Sequence, residues 1–139
     1  MMSGVHAMLG AAVGSLCARR GVAFLAGLGT HVAGDLAPHK EYGAAAEVPL
    51  VAATLWWVGA RCGWNSPAFW GALGGAAPDI ENALDRFGLC DGAGPVFPTH
   101  RGWHGAARDE AVSQAALGVL CWALLRRRAV DKRGASPIE

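Results

Sequence analysis

Residues 21–40 read GVAFLAGLGTHVAGDLAPHK. From 21 to 36 the run is carried by Ala, Leu, Val and Gly without alternation of apolar and polar positions, so it reads as a helix and not a strand. Pro38 ends it, because the proline ring clashes with the Gly34 carbonyl and pushes Ala37 out of the helical region. Inside that helix His31 and Asp35 stand four residues apart on one face, so both can reach a single cation. His39 begins the loop that follows.

Four further segments repeat the pattern. Residues 5–18 stop at Arg19-Arg20, 48–60 at Arg61, 67–77 at Pro78 and 111–125 at Arg126-Arg127-Arg128. No Asn-Gly or Asp-Gly turn joins two β-branched runs, since the one Asp-Gly pair, Asp91-Gly92, lies in the Gly- and Pro-rich stretch between Leu84 and Arg108. A connection that long in a small domain is a functional loop by expectation. The fold class expected is all-α, a compact bundle of about five short helices in one domain over residues 1–139.

Composition narrows the function classes. With 53% hydrophobic and 17% charged residues the chain is not disordered. A formal net charge of +1, with basic residues not interleaved with aromatics, gives no field for nucleic acid, so no nucleic-acid partner is expected. Cys17, Cys62, Cys90 and Cys121 are widely spaced without a C-x-x-C, which points to packing thiols and away from a zinc ribbon or redox pair. The N-terminal MMSGVHAMLG has no basic stretch before its apolar residues, so no cleaved signal peptide is expected.

Two features pull the reading toward a bilayer. Gly10, Gly14, Gly27, Gly29, Gly71, Gly74 and Gly75 lie inside the segments, where each costs about 1 kcal/mol in a soluble helix but lets membrane helices approach closely. If the segments alternate in direction, Arg19, Arg20, Arg61, Arg126, Arg127, Arg128, Lys132 and Arg133 fall on one side, leaving Lys40, Arg86, Arg101 and Arg108 on the other. That is the positive-inside pattern, with the six Trp residues as core or interfacial anchors. Segment length argues the other way, since a span needs ~20 apolar residues and each segment is shorter, as in a soluble up-and-down bundle. The expectation is nevertheless a membrane-integral protein with the lipid bilayer as partner and a cytoplasmic C-terminus.

The same alternation returns the chemistry to one end. His6 near the start of the chain, HVAGDLAPH at 31–39, PDIEN at 78–82 and THRGWH at 99–104 all fall there. Neutral imidazoles and carboxylates are the ligand set of zinc or a similar divalent cation. His6, His31, Asp35, Asp79, His100 and His104 are the candidate metal ligands. Asp79 follows Pro78 at what reads as a helix break, whereas Glu81, two residues on, would point away from it in a regular helix. Asp79 or Glu81 is the candidate general base, and Arg101, between two histidines, suits an anionic oxygen such as phosphate.

PDIEN and HRGWH resemble the G-x-x-x-PDIDH and HRGxTHS phrases of the YdjM-like family of small bacterial inner-membrane metal-dependent hydrolases, and HVAGDLAPH is similar to that family's H-x-x-x-D segment. The likeness covers about a third of the chain, in short motifs. It implies a helical protein of the bacterial plasma membrane with a His/Asp metal site at His6, His31, Asp35, Asp79, His100 and His104 and a hydrolase activity. The sequence departs from the family pattern in Glu81 and Asn82, which replace its second acid and terminal His, and in Trp103-His104-Gly105, which replaces its Thr-His-Ser. The order of the phrases differs as well.

The functional expectation is a metal-dependent hydrolase in which a divalent cation, zinc by its ligands, acidifies water and polarises the oxygen of a phosphoester or acyl ester, lipid esters included. The expectation from another class is a non-enzymatic membrane scaffold whose His and Asp side chains bond to one another.

Overall fold

Close backbone packing, more than bulky side chains, organises this chain. The computed structural model describes residues 2–36, 43–89, 97 and 111–134. These form α1 (Ser3–Gly14), α2 (Arg20–Leu36), α3 (Ala44–Cys62), α4 (Pro67–Arg86) and α5 (Ala111–Gly134), with no strand among the described residues. The all-α expectation of five helices is met. Local chemistry explains the boundaries: Ser66 caps α4 by accepting the Phe69 N–H at 3.1 Å, with Pro67 at the first helical position. Gly63 (φ 96°) and Gly88 (φ 69°) take the left-handed backbone just after α3 and α4.

The helices run up and down. Ser3 meets Glu47, Gly4 meets Leu50 and Thr54, and Met2 meets Gln114, so α1, α3 and α5 are parallel. Against α4, the α1 backbone runs antiparallel, with His6 facing Gly75, Gly10 facing Gly71 and Gly14 facing Pro67. A Cβ on Gly10 or on Gly27 would strike the Gly71 carbonyl, and one on Gly75 would strike the carbonyl of His6. The glycines therefore let α1 and α2 lie directly on α4. Two small apolar clusters complete the interior: Ala11, Val58, Ala68, Ala72 and Leu125, and Ala7, Val51 and Ala76.

Two sequence expectations are corrected here. Pro78 does not break α4, which continues through it to Arg86. Proline removes one hydrogen bond, to the Gly74 carbonyl. That loss is tolerated where α4 is held on both sides, by α1 and by α2, and Pro78 is itself fully buried. Asp79 consequently lies inside a helix and not at a free helix end. The second correction concerns the bilayer: no helix among the described residues is long and apolar enough to cross a membrane. For four of the five described helices the reason lies in length and charge. α1 and α2 have 12 and 17 residues, α4 carries Asp79, Glu81, Asp85 and Arg86 in its last turns, and α5 ends in RRRAVDKRG. The expectation of membrane-spanning helices is withdrawn. The glycine signal was real but ambiguous, because close helix approach uses small residues in either solvent.

Candidate metal centre

The up-and-down order brings the start of α1 beside the ends of α2 and α4, and four titratable side chains meet there. His6 comes from the second turn of α1, His31 and Asp35 from the last turns of α2, and Asp79 from the C-terminal half of α4. His6, His31 and Asp35 are each no more than 1% exposed. The rings of His6 and His31 stack with centroids 4.1 Å apart and planes inclined by 28°. Asp35 spans both of them: Oδ1 lies 3.1 Å from His6 Nε2 and Oδ2 lies 3.0 Å from His31 Nε2. On the other edge of His31, Nδ1 is 2.8 Å from the Gly75 carbonyl and 4.0 Å from Asp79 Oδ2.

A carbonyl can only accept a hydrogen bond, so His31 Nδ1 carries the proton of that contact. Nε2, which then holds a lone pair in the neutral ring, faces a carboxylate oxygen. Such a contact is repulsive unless a positive charge lies there, either a second proton on the ring or a metal ion. Asp35 is the ionised partner: burial raises its pKa, but its close contacts with His31 and His6 outweigh burial and hold it well below the usual carboxylate range. His6 behaves oppositely. Burial pushes it down to about 4, against the opposing hydrogen bond to Asp35 and with His31 adding to the fall, so it is neutral near pH 7.

One ligand atom each from His6, His31 and Asp79 lie within 4.8 Å of one another, which makes these residues able to share an ion. Asp35 lies closer still to both imidazoles. The donor set of two imidazoles and two carboxylates fits a divalent cation such as zinc.

Of the residues singled out in the sequence, the structure brings together His6, His31, Asp35 and Asp79. Glu81 is engaged elsewhere, with Oε2 accepting the Phe97 N–H at 2.9 Å. His39, His100, Arg101 and His104 lie outside the described residues, as does Cys90. Cys17, Cys62 and Cys121 form no disulfide among the described residues. Sequence reasoning missed two residues that hold the frame of the site. Gln114 Oε1 accepts the Met2 N–H and Glu47 Oε2 accepts the Ser3 N–H, both at 2.7 Å, so α5 and α3 fasten the first turn of α1, one turn before His6. Gln114 carried a signal, as a polar residue that with Ser113 interrupts the apolar AVSQAALGVL run.

No protein-family model, no curated protein and no solved structure matches this chain. The functional reading rests on the geometry.

Proposed function

We propose that this protein binds a divalent cation, zinc by ligand chemistry, in the His6, His31, Asp35 and Asp79 cluster and uses it to hydrolyse a phosphoester or acyl ester. The observation that carries the reading is the environment of His31, whose Nδ1–H is committed to the Gly75 carbonyl while Nε2 faces the ionised Asp35. Metal-ligating histidines donate their other ring N–H to a backbone carbonyl in this way, which fixes the tautomer and aims the lone pair at the ion. A cation bound there supplies Lewis acidity toward a phosphoryl or acyl oxygen. Asp79, on the far edge of His31 and 10% exposed at its side chain, is the group with access to take a proton from a water nucleophile. Arg101 joins the proposal through its sequence position between His100 and His104, as the group that stabilises anionic charge.

A second reading has its own support in the 3.0 Å separation of His31 Nε2 and Asp35 Oδ2. That is also the length of a hydrogen bond from an imidazolium, and in that case the cluster is a buried ion pair in a non-enzymatic scaffold. The two readings part in one assay. Zinc-loaded full-length protein is offered nitrophenyl phosphate mono- and diesters and nitrophenyl acyl esters, with and without chelator. Hydrolysis that disappears with the metal, while the fold persists, supports the enzyme. No turnover of any of these esters, together with no uptake of metal, supports the scaffold.

A further inference from the structure

The two carboxylates of the cluster sit on opposite edges of the same imidazole, and this separates their work. Asp35 faces His31 on the Nε2 edge, and Asp79 faces it on the Nδ1 edge. Only one of those edges has a nitrogen available to a cation. The Nδ1 edge is taken by the proton given to Gly75, whose carbonyl is pinned there because α1 lies directly on this stretch of α4, with the His6 carbonyl against the Gly75 Cα.

We infer that the cation is held by His6 Nε2, His31 Nε2 and Asp35, and that Asp79 is not one of its ligands but stands on the other edge of His31. This rests on the metal reading given above. The distances favour it. Ligand atoms about 2.0–2.1 Å from a tetrahedral zinc lie ~3.3 Å from one another. The contacts of Asp35 to His6 and His31, at 3.1 and 3.0 Å through its two oxygens, are close to that spacing. The set with Asp79 in place of Asp35 extends to 4.8 Å and would have to contract. The sequence supports the same division: His31 and Asp35 share one helical face by their four-residue spacing, and Asp79 belongs to a different helix. Two imidazoles and one carboxylate leave a fourth position of a tetrahedral ion for water or substrate, the pattern of catalytic and not of structural zinc sites.

The test reads the ring nitrogens directly. Long-range ¹H–¹⁵N correlation spectra of the full-length, uniformly ¹⁵N-labelled protein are recorded before and after one equivalent of zinc. The expected result is a zinc-dependent shift of Nε2 in both His6 and His31, with the Nδ1–H of His31 retained. Metallation of His31 at Nδ1 overturns the assignment of ligands while leaving the metal reading intact. Histidine nitrogens that do not respond to zinc overturn both. Two variants give a second readout that needs no activity: Asp35→Asn is expected to weaken zinc binding at least about 100-fold, and Asp79→Asn to change it less than about 3-fold. Equal losses in the two variants overturn the division of roles. Should Asp35→Asn not fold, the wild-type spectra decide alone.

Discussion

His6 and His31, one on α1 and one on α2, stack their rings 4.1 Å apart because both helices rest on the same glycine face of α4. The imidazole pair is thus a product of backbone packing. Moving α1 or α2 outward by the width of a methyl group would separate the rings and part His6 from Asp35, the carboxylate that both imidazoles share and that travels with His31 on α2.

The packing makes its own prediction. Gly71→Ala places a Cβ against the Gly10 carbonyl and 2.8 Å from the Gly14 Cα, where neither backbone can yield. The variant should lose about 3 kcal/mol or more, a fall of roughly 10 °C in Tm. Gly29→Ala is the control, since nothing lies within 4 Å of the added atom and a helix favours Ala by about 1 kcal/mol. Thermal unfolding of both variants beside the wild type checks the pair; a Gly71→Ala protein as stable as wild type contradicts the packing described.

Acid should destabilise the metal-free protein in a defined window. His6 has a folded-state pKa of about 4 against 6.5 for the ordinary side chain, so between those values the unfolded chain binds the extra proton. Stability therefore falls as pH drops from 6.5 toward 4, by up to about 1.4 kcal/mol per pH unit from this one group. Asp35, held below the carboxylate range, adds a further loss below about pH 4, where the unfolded carboxylate takes up its proton first. Urea unfolding at a series of pH values measures the slope. A flat profile from pH 7 to 4 contradicts the burial of a neutral His6.

Glu81 should be separable from the chemistry. Its carboxylate holds the Phe97 N–H, so Glu81→Gln weakens that bond and Glu81→Ala removes it. In Glu81→Ala the Phe97 amide is expected to exchange with solvent at least about 10-fold faster, while zinc affinity stays within a factor of about 3. Unchanged exchange would show that the contact does not hold this part of the chain.

Asp79→Asn keeps the size of the side chain and removes the charge that accepts a proton. If an ester is found that the zinc-loaded protein hydrolyses, the variant should turn it over at least about 10²-fold more slowly at full metal occupancy, the scale of a lost general base. Turnover at the wild-type rate would remove Asp79 from the mechanism.

How much of this was legible beforehand depends on range. The five helices were readable from apolar segments and their stops, and the i, i+4 spacing of His31 and Asp35 is a local property that their shared face on α2 reproduces. Pro78 misled, because the penalty of an interior proline is local whereas the packing that overrides it, with α1 and α2 clasping α4, is tertiary. The glycines misled as a sign of membrane-spanning helices for a related reason: glycine ladders report close helices and say nothing of the solvent around them. The Gly75 carbonyl as partner of His31, and Gln114 and Glu47 as anchors of α1, were out of reach, since each depends on which residues oppose one another across helices. His6 lies in between. It stood out as the one imidazole in an apolar first helix, and its pairing with Asp35 needed the fold.

The central claim is that this cluster is built around a divalent cation, and a calorimetric zinc titration of chelator-stripped wild-type protein at pH 7 tests it most directly. Saturable binding with a Kd below about 1 μM that disappears in His31→Ala is expected, consistent with a site of two imidazoles and a carboxylate. No heat of binding and no retained metal in the wild-type protein would contradict it, and would make the His6, His31 and Asp35 contacts a buried ion pair and nothing more.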